Sequence, residues 1–117
     1  MGKVKLVKLE MADPTFEGGS THTARATMSN PTSMDFSYEA ELYLTDRAAT
    51  SGMVPFTLAA GATGTVDFTV TMPTIEGEYE VLLDIFVGGE LIAAGKATEN
   101  VIIEVNPNIV IGPIEWE

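Results

Sequence analysis

Apolar and polar residues alternate along most of this chain, and a turn signal breaks the alternation about every ten residues, a pattern that predicts short strands in two layers. Residues 3–11 read as a first strand whose phase slips: Val4 and Leu6 point one way, Val7, Leu9 and Met11 the other. That slip predicts a bulge or a change of sheet. Asp13-Pro14 closes the segment and Gly18-Gly19 turns the chain. Over 20–29, His22, Ala24, Ala26 and Met28 share one face, while Thr21, Thr23, Arg25, Thr27 and Ser29 share the other. Threonine suits the exposed side of a strand because its branched Cβ fits the pleat. Asn30-Pro31 then breaks the strand.

The strongest pattern covers 34–45, with Met34, Phe36, Tyr38, Ala40, Leu42 and Leu44 directed to the core and Asp35, Ser37, Glu39, Glu41 and Tyr43 outward. After a loop of small residues (46–52), a short strand over Val54–Leu58 carries Pro55, which cannot donate a ladder hydrogen bond and so marks an edge. The run AAGATG (59–64) is a turn; Val66, Phe68, Val70 and Met72 then alternate with Thr65, Asp67, Thr69 and Thr71 until Pro73. A single strand is expected over 78–87, with Tyr79, Val81, Leu83, Ile85 and Val87 inward and Glu78, Glu80, Leu82, Asp84 and Phe86 outward. Gly88-Gly89 tolerates the positive φ of a two-residue hairpin. The last strand, about 90–105, changes phase midway. Ile92 and Ala94 fit one parity and Val101, Ile103 and Val105 the other, which predicts a bulge near Gly95. No helical period of useful length occurs.

Composition narrows the class. The 117 residues suit one domain, and 45% hydrophobic content supports a real core. With no cysteine, neither a disulfide nor a thiolate zinc site can staple the fold. Six basic against 17 acidic residues give a formal charge of −11, which disfavours nucleic acid and anionic lipid as partners. No run approaches the ~18 apolar residues of a membrane helix, so membrane insertion is not expected. The opening MGKVKLVKLEM lacks the features of a signal peptide, which leaves cell surface, virion and cytoplasm all open.

Four segments carry a resemblance: GSTHTARATMSNP (19–31), AELYL (40–44), FTLAAGATGTVDFTVTMP (56–73) and EGEYEVLLDIFVGG (76–89). Together they resemble the bacterial immunoglobulin-like adhesion modules called CARDB-like domains, over residues 4–105. The resemblance implies an immunoglobulin-like sandwich of about seven antiparallel strands in two sheets. It implies a role as spacer, adhesin or accessory domain, and no more specific function. Glu76-Gly77-Glu78-Tyr79 is similar to the tyrosine corner of such folds, in which the Tyr hydroxyl ties back to upstream backbone. The antibody-type cysteine pair is missing, and the sole tryptophan, Trp116, lies in the tail rather than on a central strand.

Candidate chemistry is sparse. His22 is the only histidine, so a Ser-His-Asp triad or a zinc site has little to draw on, and no catalytic, cofactor-binding or metal residue is assigned. Asp13, Glu17, Asp46, Glu76 and Glu78 lie near turns but lack the spacing of a calcium loop. Glu39, Glu41 and Tyr43 are expected beside Leu82, Asp84 and Phe86 (with Glu78 and Glu80), so that acids and apolar groups share an outer face suited to a partner. The tail 106–117 holds Ile109, Val110, Ile111, Ile114 and Trp116, too apolar for an idle terminus. It is expected to add as a strand or to contact another subunit. The expectation is therefore a non-enzymatic structural or protein-interaction module over residues 1–105, possible as one repeat of a surface or virion assembly, working through its tail or a sheet edge. The alternative is an accessory domain for carbohydrate or calcium.

Overall fold

The computed structural model describes residues 14–105, 107 and 109–116; the strand expected over 3–11, with Asp13, lies outside them. Strand β5 (Thr63–Thr71) organises the interior, because its alternation is the cleanest in the chain. Val66, Phe68 and Val70 are buried, as is Met72 just beyond the strand. β5 pairs antiparallel with β2 (Thr21–Ser29), and Phe68 faces the small Ala24 across the ladder. Small against large lets the ring fill the space between layers. On the outer side the same pair forms hydroxyl contacts, Thr21 to Thr71 at 2.9 Å and Ser29 to Thr63 at 2.8 Å, with an Arg25–Asp67 ion pair at 2.8 Å between them.

The facing sheet has the order β4-β3-β7-β8. Its members are β3 (Phe36–Leu44), β4 (Val54–Leu58), β7 (Val81–Val87) and β8 (Glu90–Lys96). Ala40, Leu42 and Leu44 of β3 meet Phe68 and Val70 in one core cluster with Val101 and Ile103. β4 is an edge, as Pro55 requires. A third group orders β1 (Thr15–Glu17), β9 (Val101–Glu104) and β6 (Gly77–Tyr79) as β1-β9-β6. Over its described residues the molecule is thus all-β, with sheets of three, two and four strands consistent with a β-sandwich.

Several sequence expectations need correction. The described residues hold nine strands rather than about seven, in three hydrogen-bonded groups, and β1 runs parallel to β9. The segment 78–87 is two strands. Glu80 leaves the ladder to exchange hydrogen bonds with Thr45, whose N–H reaches Glu80 O at 3.1 Å and whose Oγ1 accepts from Glu80 N at 2.8 Å. Before that point the chain pairs with β9, after it with β3 and β8. Unbroken alternation cannot reveal such a change, since parity persists through it.

The segment 90–105 is likewise two strands, joined through 97–100. The extra residue lies at Ile92 rather than near Gly95, because Ile85 pairs with Ala93 while Phe86 pairs with Leu91. Ile92 is 52% exposed and Val105 42%, so neither is core; Ala94 is exposed too. Met34 is also outside the core, at 64% exposure, because β3 begins only at Phe36.

Asn30 explains that late start. It is fully buried, and its Nδ2 donates to Met34 O (2.7 Å), Leu58 O (3.1 Å) and Ala59 O (3.3 Å). Its Oδ1 accepts from Thr32 N at 3.0 Å and Thr32 Oγ1 at 2.7 Å. One amide thereby satisfies the polar backbone of two loops at one end of the sandwich.

Candidate interaction surface

The outer face of β3 and β7 assembles as expected. Glu39 lies opposite Phe86, Glu41 opposite Asp84, and Tyr43 opposite Leu82. Glu78 does not join it, because it sits in β6 opposite Ile102. Two carboxylates directly across a ladder repel, and an arginine resolves the repulsion. A 3-10 turn over Thr45–Arg47 holds Asp46 and Arg47 at φ of 57° and 56°, which turns the chain back over β3. The Arg47 guanidinium then lies 4.1 Å from the Tyr43 ring centroid, bonds Glu41, and approaches Asp84 at 3.8 Å.

The electrostatics follow from these contacts. Glu41 is held below the usual carboxylate range, first by the Thr50 hydroxyl that donates to it and also by Arg47, against the cost of desolvation. Tyr43 is raised, chiefly by desolvation and then by the hydrogen bond it donates to Asp84 at 3.2 Å. Arg47 is raised by Glu41. At the margin of this face Lys96 bonds Glu80 at 2.9 Å. Arg47 and Lys96 thus offset two of the four acids Glu39, Glu41, Glu80 and Asp84 on this face. Arg47 went unnoticed in the sequence because it sits in a loop of small residues; the one available signal was a lone basic residue between strands rich in acid.

A more apolar surface lies at the end of the sandwich where Met28, Phe36, Phe56 and Ile85 converge. There a cleft of about 600 Å³ opens between β2 and the four-stranded sheet. Tyr38 stacks on Phe56 at 5.1 Å along its wall, and Ile92 and Ala93 of β8 form its lip. Every residue of β8 is exposed, including Leu91 at 53%. Hydrophobic periodicity placed Ile92 and Ala94 inward, and it could not report that the layer above them stops short.

The tail forms no strand over its described residues. Ile109 (79% exposed), Ile111 (75%), Ile114 (79%) and Trp116 (94%) all face solvent, so these described side chains are not packed on the domain.

His22 stacks on Phe16 at 4.1 Å beside a cavity of about 260 Å³ that also exposes Ala24. Its Nε2 lies 2.8 Å from Ser20 Oγ. The Ser20 hydroxyl also bonds Glu17 O at 2.5 Å, so the backbone carbonyl and the ring nitrogen share this one hydroxyl. The turn carboxylates are dispersed: Glu76 accepts from Val105 N at 2.9 Å and Glu78 from Asn100 Nδ2 at 2.7 Å. No cluster of three or more His, Asp or Glu suited to a metal ion occurs among the described residues, and none of their helices is long and apolar enough to cross a membrane. No family model matches the chain, and no curated protein matches it.

Proposed function

We propose that this chain is an immunoglobulin-like, CARDB-like module with a non-enzymatic structural or protein-interaction role, acting through self-association. The fold part of this reading draws on antiparallel strands in facing sheets and on Tyr79, whose hydroxyl donates to Ile75 O at 2.7 Å, four residues upstream. The interaction part rests on one observation: apolar side chains are concentrated at the β8 edge, the cleft beside it and the tail, while the β2–β5 outer face is hydroxyl-covered. Exposed apolar area of that kind marks a surface that is covered in use.

An accessory domain for carbohydrate is less favoured. Its aromatics would lie on an exposed flat face, whereas Phe36, Tyr38 and Phe56 are half-buried in an apolar cleft. The test is sedimentation of the full chain across a wide concentration range, paired with thermal melts in EDTA, in millimolar calcium and with oligosaccharides. Mass should rise with concentration and the melts should coincide. A monomer at every concentration whose melting point calcium or sugar raises would replace this reading with the accessory-domain one, since a ligand bound only by the native state must stabilise it.

A further inference from the structure

We infer that the tail of one copy docks as an added strand on the β8 edge of a second copy, with Trp116 entering the cleft. This rests on the self-association proposed above and names its two halves.

The receiving half differs from the opposite edge of the same sheet. β4 is stoppered by Pro55, whereas β8 presents Leu91, Ile92, Ala93, Ala94 and Gly95 in succession between its terminal Glu90 and Lys96, with no proline. Edge strands are ordinarily protected by proline, lysine or a covering segment. Along the outer edge of β8 no strand lies among the described residues. Its backbone groups can therefore bond an incoming strand, and the adjoining cleft can take the side chains that strand points inward.

The donating half has matching chemistry. In an extended chain Val110, Ile114 and Trp116 fall on one side and Ile109 and Ile111 on the other. Each is at least three-quarters exposed. A cleft of about 600 Å³ walled by Phe36, Tyr38 and Phe56 is large enough for an indole and a neighbouring aliphatic group.

The occupant is a second copy because of where the tail departs. β9 ends beside Gly18, whose N–H bonds Glu104 O at 2.9 Å, so the chain leaves at the Thr21 end of β2. The cleft lies at the other end, by Met28 and Ser29. Those ends are roughly 27 Å apart along the strand. The eleven residues 106–116 reach at most about 40 Å fully extended, so a tail doubling back spends about two-thirds of its length on the return. A neighbour's cleft has no such requirement.

Two complementary variants decide the matter. Chain lacking residues 107–117 keeps the cleft and loses the tail; no strand or core residue among those described belongs to that segment. Chain carrying Ile92→Lys keeps the tail and places a charge at the cleft lip, on a half-exposed residue. Ala93→Glu is a second blocking variant, and circular dichroism verifies that each is folded. Each variant alone should be monomeric, and an equal mixture should give the mass of a dimer by light scattering. Trp116 is the only tryptophan and is absent from the shortened chain, so its emission should shift to shorter wavelength in the mixture and not in the Ile92→Lys chain alone.

Association of either variant by itself, or a mixture that stays monomeric, overturns the inference. If the full chain still associates in that case, self-association stands and a different surface carries it. Trp116 emission already blue-shifted in dilute monomer would place the tail on its own body. Docking that appears only after residues 1–13 are removed would assign the cleft to that segment. Either result overturns the inference.

Discussion

Tyr79, Asn30 and Phe68 show how far single side chains could be read. Tyr79 was legible through the resemblance of Glu76-Gly77-Glu78-Tyr79 to a tyrosine corner, and its hydroxyl does bond upstream backbone, at Ile75 O. Tyr79→Phe should cost about 1 kcal/mol, measured by urea denaturation, and an unchanged midpoint would count against the corner. Phe68 is fully buried in the core cluster, so Phe68→Ala should cost roughly 3–5 kcal/mol. Asn30 was legible only as a strand breaker. Nothing in a lone Asn-Pro dipeptide announces that the amide is buried against the backbone of two loops. Asn30→Asp would set a carboxylate against the carbonyls its Nδ2 now serves, at a cost of about 3 kcal/mol or more at neutral pH. That cost should shrink as pH falls, because the protonated acid regains a donor. Glu41 behaves oppositely. Its lowered pKa contributes stability above the ordinary glutamate value, and this is lost as pH falls through the folded-state value. Thr50→Val and Arg47→Leu should each flatten that acid-side loss in melts between about pH 3 and 5.

Among the elements, β5 was legible from its clean alternation, and β4 and the Gly88-Gly89 hairpin because a proline or a glycine pair fixes each locally; both glycines adopt the expected positive φ, 58° and 83°. The division at Glu80 and the extra residue at Ile92 were not, since both depend on which strand lies alongside. Burial was the least legible property of all. β5 and β8 both read as apolar strands, yet β5 buries three side chains and β8 none. Their backbone protection should differ accordingly in dilute monomer: amides of β5 exchange near the rate of global unfolding, while those of β8 exchange through local opening. Equal protection would mean that something covers the β8 edge even in the monomer.

At the scale of the whole molecule, a charge of −11 opposes every contact between copies. The surfaces proposed to meet carry Glu90 on the cleft wall and Glu115 beside Trp116, so they add to the repulsion instead of relieving it. Apolar burial must supply the attraction. Raising salt from about 0.01 to 0.15 M shortens the screening length from roughly 30 to 8 Å and should strengthen self-association of the full chain. Weakening by salt would point instead to ion pairs at the interface.

The departure of the tail at one end, with the cleft at the other, fixes what kind of object repeated docking would build. Two copies that exchange tails reciprocally close as a pair, whereas copies that each pass a tail to the next member add in a row. Each added copy would leave a vacant cleft at one terminus of the row and a free tail at the other, so the row would have a direction. Its termini would recruit different things: a tail-less copy would cap one and a cleft-blocked copy the other. Length would then be governed by the supply of terminators, and two rows could join only in the same sense.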